Sequence, residues 1–255
     1  KGRTPGRNVV PGLMSFVSEL GYGSLPNLPA CNERFRQQGN PLAPAYRYYQ
    51  RLEAEQTRAL RESGFGPLFP SFEKFCLEQQ SIHGAANKRM IEAVRSNPKV
   101  DGYCIHALVA GDWILGAGLL DIWRNPKTEV YEATQAANQP RIVSIRVFPR
   151  NVYADQGARL TITGINELAA QDSILSVQIV SKSGESVLSR KLELGWEAGI
   201  SRLREEKLET GAWAGTYSVR VRVTARDGSL LTENAQDFDV FQRNELVVPE
   251  ARVAV

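Results

Sequence analysis

The sequence is poor in the residues that staple small folds or bind metals. It has three cysteines (Cys31, Cys76 and Cys104) and two histidines (His83 and His106). Three cysteines cannot all pair within one chain, they show no CxxC spacing, and none follows Cys104. A disulfide scaffold, a structural zinc site and a His-rich metal site are therefore not expected, and no cofactor is called for. No window approaches ~20 uninterrupted apolar residues, which argues against a membrane span. Charge of one sign is also scarce. The net charge is +3 over 255 residues. Positions 141–255 carry 15 Lys+Arg and 15 Asp+Glu, so the surplus lies in 1–140. No Lys/Arg block stands out, and nucleic acid is not an expected partner. The chain starts at Lys1 without a signal-peptide pattern and reads as a processed chain or a piece of a longer one.

What is present is ordinary for a folded protein: 42% hydrophobic and 23% charged residues, at a length that allows one large domain or two smaller ones. The chain reads as two halves, 1–140 and 141–255. In the first, Leu13–Ser18 is a short, mostly apolar run after Pro11-Gly12, as in a buried strand. It ends at a glycine turn, Glu19-Leu20-Gly21-Tyr22-Gly23. Residues 45–62 read as a helix with Tyr46, Tyr49, Leu52 and Leu60 on one face, stopped at Gly64. Ser71 is a credible N-cap for the next helix. There Phe72, Phe75, Cys76, Ala86, Met90 and Val94 fall near i, i+3, i+4 spacing, and Asn97-Pro98 ends it. Tyr103–Val109 is a second apolar run, and a short helix is expected from Lys127 to Ala137. Strand, helices, strand is the pattern of a parallel βαβ unit. Two parallel strands cannot bury both faces of a sheet, so this half needs more strands than it contains.

From Arg141 onward the period changes from 3.6 to 2. Ile142–Val147, Ala158–Ile165, Ile174–Val180, Val187–Leu194, Leu203–Leu208, Thr216–Thr224 and Gln236–Phe241 alternate or run apolar. Seven strands in about 100 residues predict an antiparallel, immunoglobulin-like sandwich. The expected fold class is thus α/β followed by all-β.

A carboxylate that follows an apolar strand and precedes a glycine turn is well placed for chemistry, and Glu19 fits; its other reading is an ordinary loop glutamate. Ser18-Glu19-Leu20-Gly21-Tyr22-Gly23 resembles the S-E-(F/Y)-G segment of glycoside hydrolase family 2, the family of β-galactosidases, β-mannosidases and β-glucuronidases. Asn97-Pro98-Lys99-Val100-Asp101-Gly102-Tyr103 resembles that family's entry into its eighth barrel strand. Gly118-Leu119-Leu120-Asp121 with Asn125-Pro126-Lys127 resembles the segment that follows.

The resemblance implies that 1–140 is the C-terminal portion of a (β/α)8 barrel and that 141–255 is a flanking sandwich. It also implies a retaining β-glycosidase acting on a carbohydrate substrate, with Glu19 as nucleophile. The acid/base would stand on an earlier strand, so the rest of the barrel would precede Lys1, and the isolated chain is expected to be inactive. Asn32-Glu33 has the family's acid/base dipeptide but follows the nucleophile strand, and reads as a loop decoy.

The remaining candidates are substrate contacts. His106 stands where the family has a sugar-lining Trp; it can stack on a sugar or serve as a strand histidine held by a local hydrogen bond. Trp113 is a sugar platform or a packing residue, Asp112 a hydroxyl acceptor, and Tyr22 a cleft residue. His83 and Trp123 read as packing residues, Trp123 beneath the final helix. The His106 departure keeps open a second class, a non-catalytic carbohydrate-binding or scaffold module.

Overall fold

The computed structural model describes residues 15–39, 43–109 and 116–243. It divides into two compact units, Lys1–Gln139 and Pro140–Val255.

In the first unit the order is β1 (Ser15–Leu20), α1 (Leu28–Gln37), α2 (Pro44–Glu62), α3 (Phe72–Arg95), β2 (Val100–Ile105) and α4 (Val130–Ala137). The strands β1 and β2 pair in parallel, from Ser15 opposite Val100 to Leu20 opposite Ile105. Val17, Leu20, Val100, Tyr103 and Ile105 pack with Ile91, Val94 and Met90 of α3 and Ala137 of α4. The other face carries Phe16, which is 65% exposed, with Ser18, Glu19 and Cys104 also exposed. This little sheet is therefore covered on one side only among the described residues.

Several sequence expectations are met. Ser71 Oγ accepts the Lys74 amide at 3.1 Å as the cap of α3, and α2 presents buried Tyr46 and Tyr49. Others need correction. The first strand includes Glu19 and Leu20, so Glu19 lies within it rather than after it; Leu13 and Met14 are outside the described residues. The second strand is Val100–Ile105 rather than Tyr103–Val109, because past His106 the carbonyls of Ala107 and Leu108 accept from the amides of Leu119 and Leu120 instead of continuing along β1.

Asn32-Glu33 lies on a helix, α1, not a loop. That helix has its own cap, Asn27 Oδ1 accepting the Ala30 amide at 3.2 Å, and buries Leu28, Cys31 and Phe35 at i, i+3, i+7. Trp123 packs on it rather than beneath α4: its ring lies 4.6 Å from that of Phe35, and its Nε1 donates to the Cys31 carbonyl at 3.2 Å.

Helix α3 meets the start of α4 closely at Gly84. A Cβ there would sit 2.5 Å from the Glu129 carbonyl oxygen and 3.2 Å from Val130 Cα. Backbone cannot yield as a side chain can. Gly84→Ala is expected to destabilise the unit by about 1–3 kcal/mol, read as a lowered urea midpoint at unchanged slope. Unaltered stability would mean that α4 is free to shift.

The second unit is a β-sandwich. One sheet has the order β4 (Asn151–Tyr153), β10 (Leu230–Phe241), β9 (Gly215–Ala225), β6 (Gln171–Ser181), β7 (Ser186–Trp196); the other is β3 (Arg141–Phe148), β5 (Ala158–Asn166), β8 (Gly199–Leu208). Alternation sends one face of each strand inward. Val219, Val221 and Val223 of β9 are buried between exposed Arg220 and Arg222, and they pack with Leu160 and Ile162 of the facing sheet.

The expectation of seven purely antiparallel strands fails at one edge. There are eight strands among the described residues, and β4 pairs with β10 in parallel, Asn151 opposite Asp239 to Tyr153 opposite Phe241. A three-residue strand is too short to show a period. Pro149-Arg150 transfers the chain between sheets, and its partner comes from the far end of the domain sequence, so nothing local sets the direction. Two of the other three outer strands, β7 and β8, carry Arg190, Lys191, Arg202, Arg204 and Lys207 among glutamates, which guards open edges against further pairing.

Candidate active site

The C-terminal ends of β1 and β2 form one mouth. The β1–β2 register shifts between Val17 and Leu20. In a regular strand neighbours point to opposite faces, but here Ser18 and Glu19 are both exposed while Leu20 is buried. The irregularity thus re-aims Glu19 without disturbing the Leu20 anchor. The Glu19 carboxylate makes no hydrogen bond or ion pair with another described residue and stays available to solvent. His106 follows β2 at the same level. Its amide donates to the Leu20 carbonyl at 2.9 Å, and its carbonyl oxygen lies 2.5 Å from where a Gly21 Cβ would stand. Only glycine lets the chain leaving Glu19 pass this close to His106.

The loop beyond is tethered at Tyr22, Ser24 and Leu25. Asn87 Oδ1 of α3 accepts the Tyr22 amide at 2.8 Å. The Ser24 amide donates to the Gly116 carbonyl at 2.9 Å, and Ser24 Oγ pairs with His83 Nδ1 at 2.9 Å. The Leu25 amide donates to Gln79 Oε1 and its carbonyl accepts from Gln80 Nε2, at 3.2 and 2.9 Å. The Tyr22 ring is 51% exposed and stands edge-on to His83, 6.3 Å between centroids. Lys127 closes the set: its buried Nζ donates to the carbonyls of Ser24, Gly116 and Ala117 at 2.9, 3.0 and 3.2 Å.

The structure therefore places Glu19, Tyr22 and His106 around one strand mouth. Asp112 and Trp113 lie outside the described residues. Glu33 is exposed on α1, and the Arg36 guanidinium 2.7 Å away holds its carboxyl below the usual range. Asn32 is buried and donates to the Tyr49 carbonyl. Burial pushes the Cys31 thiol up to about 12, with the nearby Asp121 carboxylate adding to it, and burial pushes Cys76 up to about 11; neither is a reactive thiolate near neutral pH. No group of three or more potential metal ligands occurs among the described residues, and no helix there is long and apolar enough to cross a membrane.

Sequence reading missed the tether. A signal was available: Gln80, His83 and Asn87 recur at i, i+3, i+7 on α3, all buried, a polar stripe where an apolar one is expected. Lys127 offered no such signal, since a lysine four residues after a turn normally faces water.

Burial lowers His83 to about 4 from 6.5, helped by the charge of Lys127, so it holds Ser24 as a neutral ring. The unfolded chain takes up this proton near pH 6.5 and the folded chain only near 4. The unfolded state then binds more protons between those values. The contribution is complete above pH 6.5 and is lost as pH falls towards 4, by up to about 3 kcal/mol. Urea unfolding at both ends of this window should show the loss in the wild type and much less of it in His83→Asn. An equal loss in both would assign the acid sensitivity elsewhere.

No protein-family model and no curated protein matches the chain. Solved structures do resemble it. A β-D-mannosidase from Dictyoglomus thermophilum aligns over 91% of this chain and 28% of its own, with TM-score 0.62 and 19% identity. The exo-chitosanase CsxA of Amycolatopsis orientalis aligns over 67% of this chain and 20% of its own, with TM-score 0.47 and 16% identity. A β-glucuronidase from Parabacteroides merdae aligns over 38% and 13%, with TM-score 0.30 and 12% identity. The likeness to the mannosidase is one of fold. This chain spans a little over a quarter of that protein's length.

Proposed function

We propose that this chain contributes the nucleophile strand and a flanking immunoglobulin-like sandwich to a retaining β-glycosidase of the family 2 type. The observation that carries the proposal is Glu19: a carboxylate turned outward by a strand irregularity, at the C-terminal mouth of a parallel strand, ahead of a loop held at Tyr22, Ser24 and Leu25. Barrel enzymes build their sites at that end of their strands. The S-E-L-G segment and the shared fold with a β-mannosidase support the same reading.

In this reading β1 and β2 are the seventh and eighth barrel strands, and the exposed face bearing Phe16 and Cys104 borders the barrel interior. Glu19 attacks the anomeric carbon, a second carboxyl group protonates the leaving oxygen, and water then releases the sugar from the enzyme. Retaining chemistry needs the two carboxyls about 5–5.5 Å apart. Glu33 does not serve as the second, being paired with Arg36 on α1; the acid/base belongs to an earlier strand. Tyr22 and His106 flank the sugar bound at Glu19, with Asp112 and Trp113 as further contacts.

The test is covalent capture. A 2-deoxy-2-fluoro glycoside with a good leaving group, given to the intact protein, should accumulate as a glycosyl ester, and peptide mapping should place it on Glu19. A label on another carboxylate overturns the assignment. Binding of β-glycans with no label and no turnover on any β-glycoside would favour the non-catalytic module.

A further inference from the structure

Lys127 is buried to 2% exposure, and its three ammonium N–H groups are matched by three backbone carbonyls. Those carbonyls belong to two different walls. Ser24 lies on the loop leaving the Glu19 strand, and Gly116 and Ala117 lie on the segment past His106. The walls also touch directly: the Ser24 amide donates to the Gly116 carbonyl, and a Cβ on Gly23 would come within 3.3 Å of the Gly116 carbonyl carbon. The lysine's own backbone is fixed from both sides, its amide on the Leu119 carbonyl and its carbonyl accepting the Val130 amide.

Burying a charge is costly, and an apolar side chain of similar volume is usually the more stabilising choice. Retaining the ammonium here therefore serves geometry. An ammonium can donate in three divergent directions at once, which neither a planar guanidinium nor a thioether can do in so small a space.

We propose that Lys127 is a positioning residue for the strand mouth, its ammonium setting the spacing between the loop that follows Glu19 and the segment that follows His106. This rests on the glycosidase reading above and deepens it. Burial lowers the Lys127 ammonium to about 8; of the groups facing it, Asp121 and Cys31 partly offset this by favouring the charged form, and its own charge disfavours protonation of His83.

Three variants of the intact protein test the role. Lys127→Met keeps most of the volume and removes all donors; kcat on a nitrophenyl β-glycoside should fall ~10²-fold with KM little changed, since a displacement of ~1 Å suffices. Lys127→Gln restores two donors without charge and should recover part of that loss. If packing alone mattered, Met would outperform Gln; with a donor clamp, Gln has the higher kcat even where Met has the higher melting temperature. Gly23→Ala leaves Lys127 intact and wedges the same two walls, so a smaller drop in kcat is expected.

Hydrogen exchange gives a second readout that does not depend on turnover. Peptides covering 20–25 and 116–120 should lose protection ~10-fold in Lys127→Met while the middle of α3 keeps it. Unchanged kcat in Lys127→Met, or Met exceeding Gln in kcat, overturns the positioning role and leaves Glu19 as nucleophile untouched. A wild-type protein that hydrolyses no glycoside overturns the glycosidase reading itself, and the positioning role with it.

Discussion

Glu19→Gln in the intact protein is expected to lower kcat on β-glycosides by about 10⁴-fold or more, with no loss of thermal stability. The amide keeps the shape of the side chain and removes the charge that must attack the anomeric carbon. Stability is spared because Glu19 is exposed and bonded to no other described residue, while its neighbour Leu20 anchors the strand in the core. Glu19→Ala adds a sharper signature. It opens space for an external nucleophile, so azide with an activated β-glycoside should give the α-glycosyl azide. The carbon–nitrogen bond forms as the aryloxide leaves, with one inversion instead of two. Activity retained in Glu19→Gln, or no azide product from Glu19→Ala, would place the nucleophile elsewhere.

In the second unit, Phe238→Ala is expected to cost about 3–5 kcal/mol. Phe238 is fully buried, its ring 6.2 Å from Trp213 and 5.9 Å from Tyr217. It stands on β10, the strand that pairs with both β9 and β4. The cavity would lie where the parallel edge is held. A loss of this size is a large part of the stability of a domain of ~100 residues, whose total is about 5–15 kcal/mol. Chemical unfolding followed by tryptophan fluorescence should show the early transition. A loss below ~1 kcal/mol would mean that the sandwich collapses around the gap.

Much of this architecture was legible in the chain. The alternation of Tyr217, Val219, Val221 and Val223 against Ser218, Arg220 and Arg222 is local: each residue's face follows from its neighbours two away, and the sheet only has to accept it. The same holds for the Ser71 cap and for Tyr46 and Tyr49 on α2. Helix α1 reads in the sequence as a loop despite Asn27 and the Leu28, Cys31, Phe35 spacing, because two prolines beside its start resemble one. Proline in the first turn of a helix lacks only an N–H that would have had no partner there.

The candidate site divides along a similar line. The sequence alone determines that a glutamate ends an apolar run, that glycines succeed it, and that alternating strands fill the second half. Each is a short-range property, set by backbone sterics and side-chain period. Only the tertiary structure decides that Ser18 and Glu19 share one face, because a register shift depends on the partner strand. It alone decides that β4 runs parallel to β10, since that pairing joins positions nearly ninety residues apart. And it alone turns Lys127, more than a hundred residues from Ser24, into a buried three-way link. A lysine's ammonium is satisfied by water as readily as by carbonyls, so its burial is dictated by the walls that close around it and not by the residues beside it in the chain.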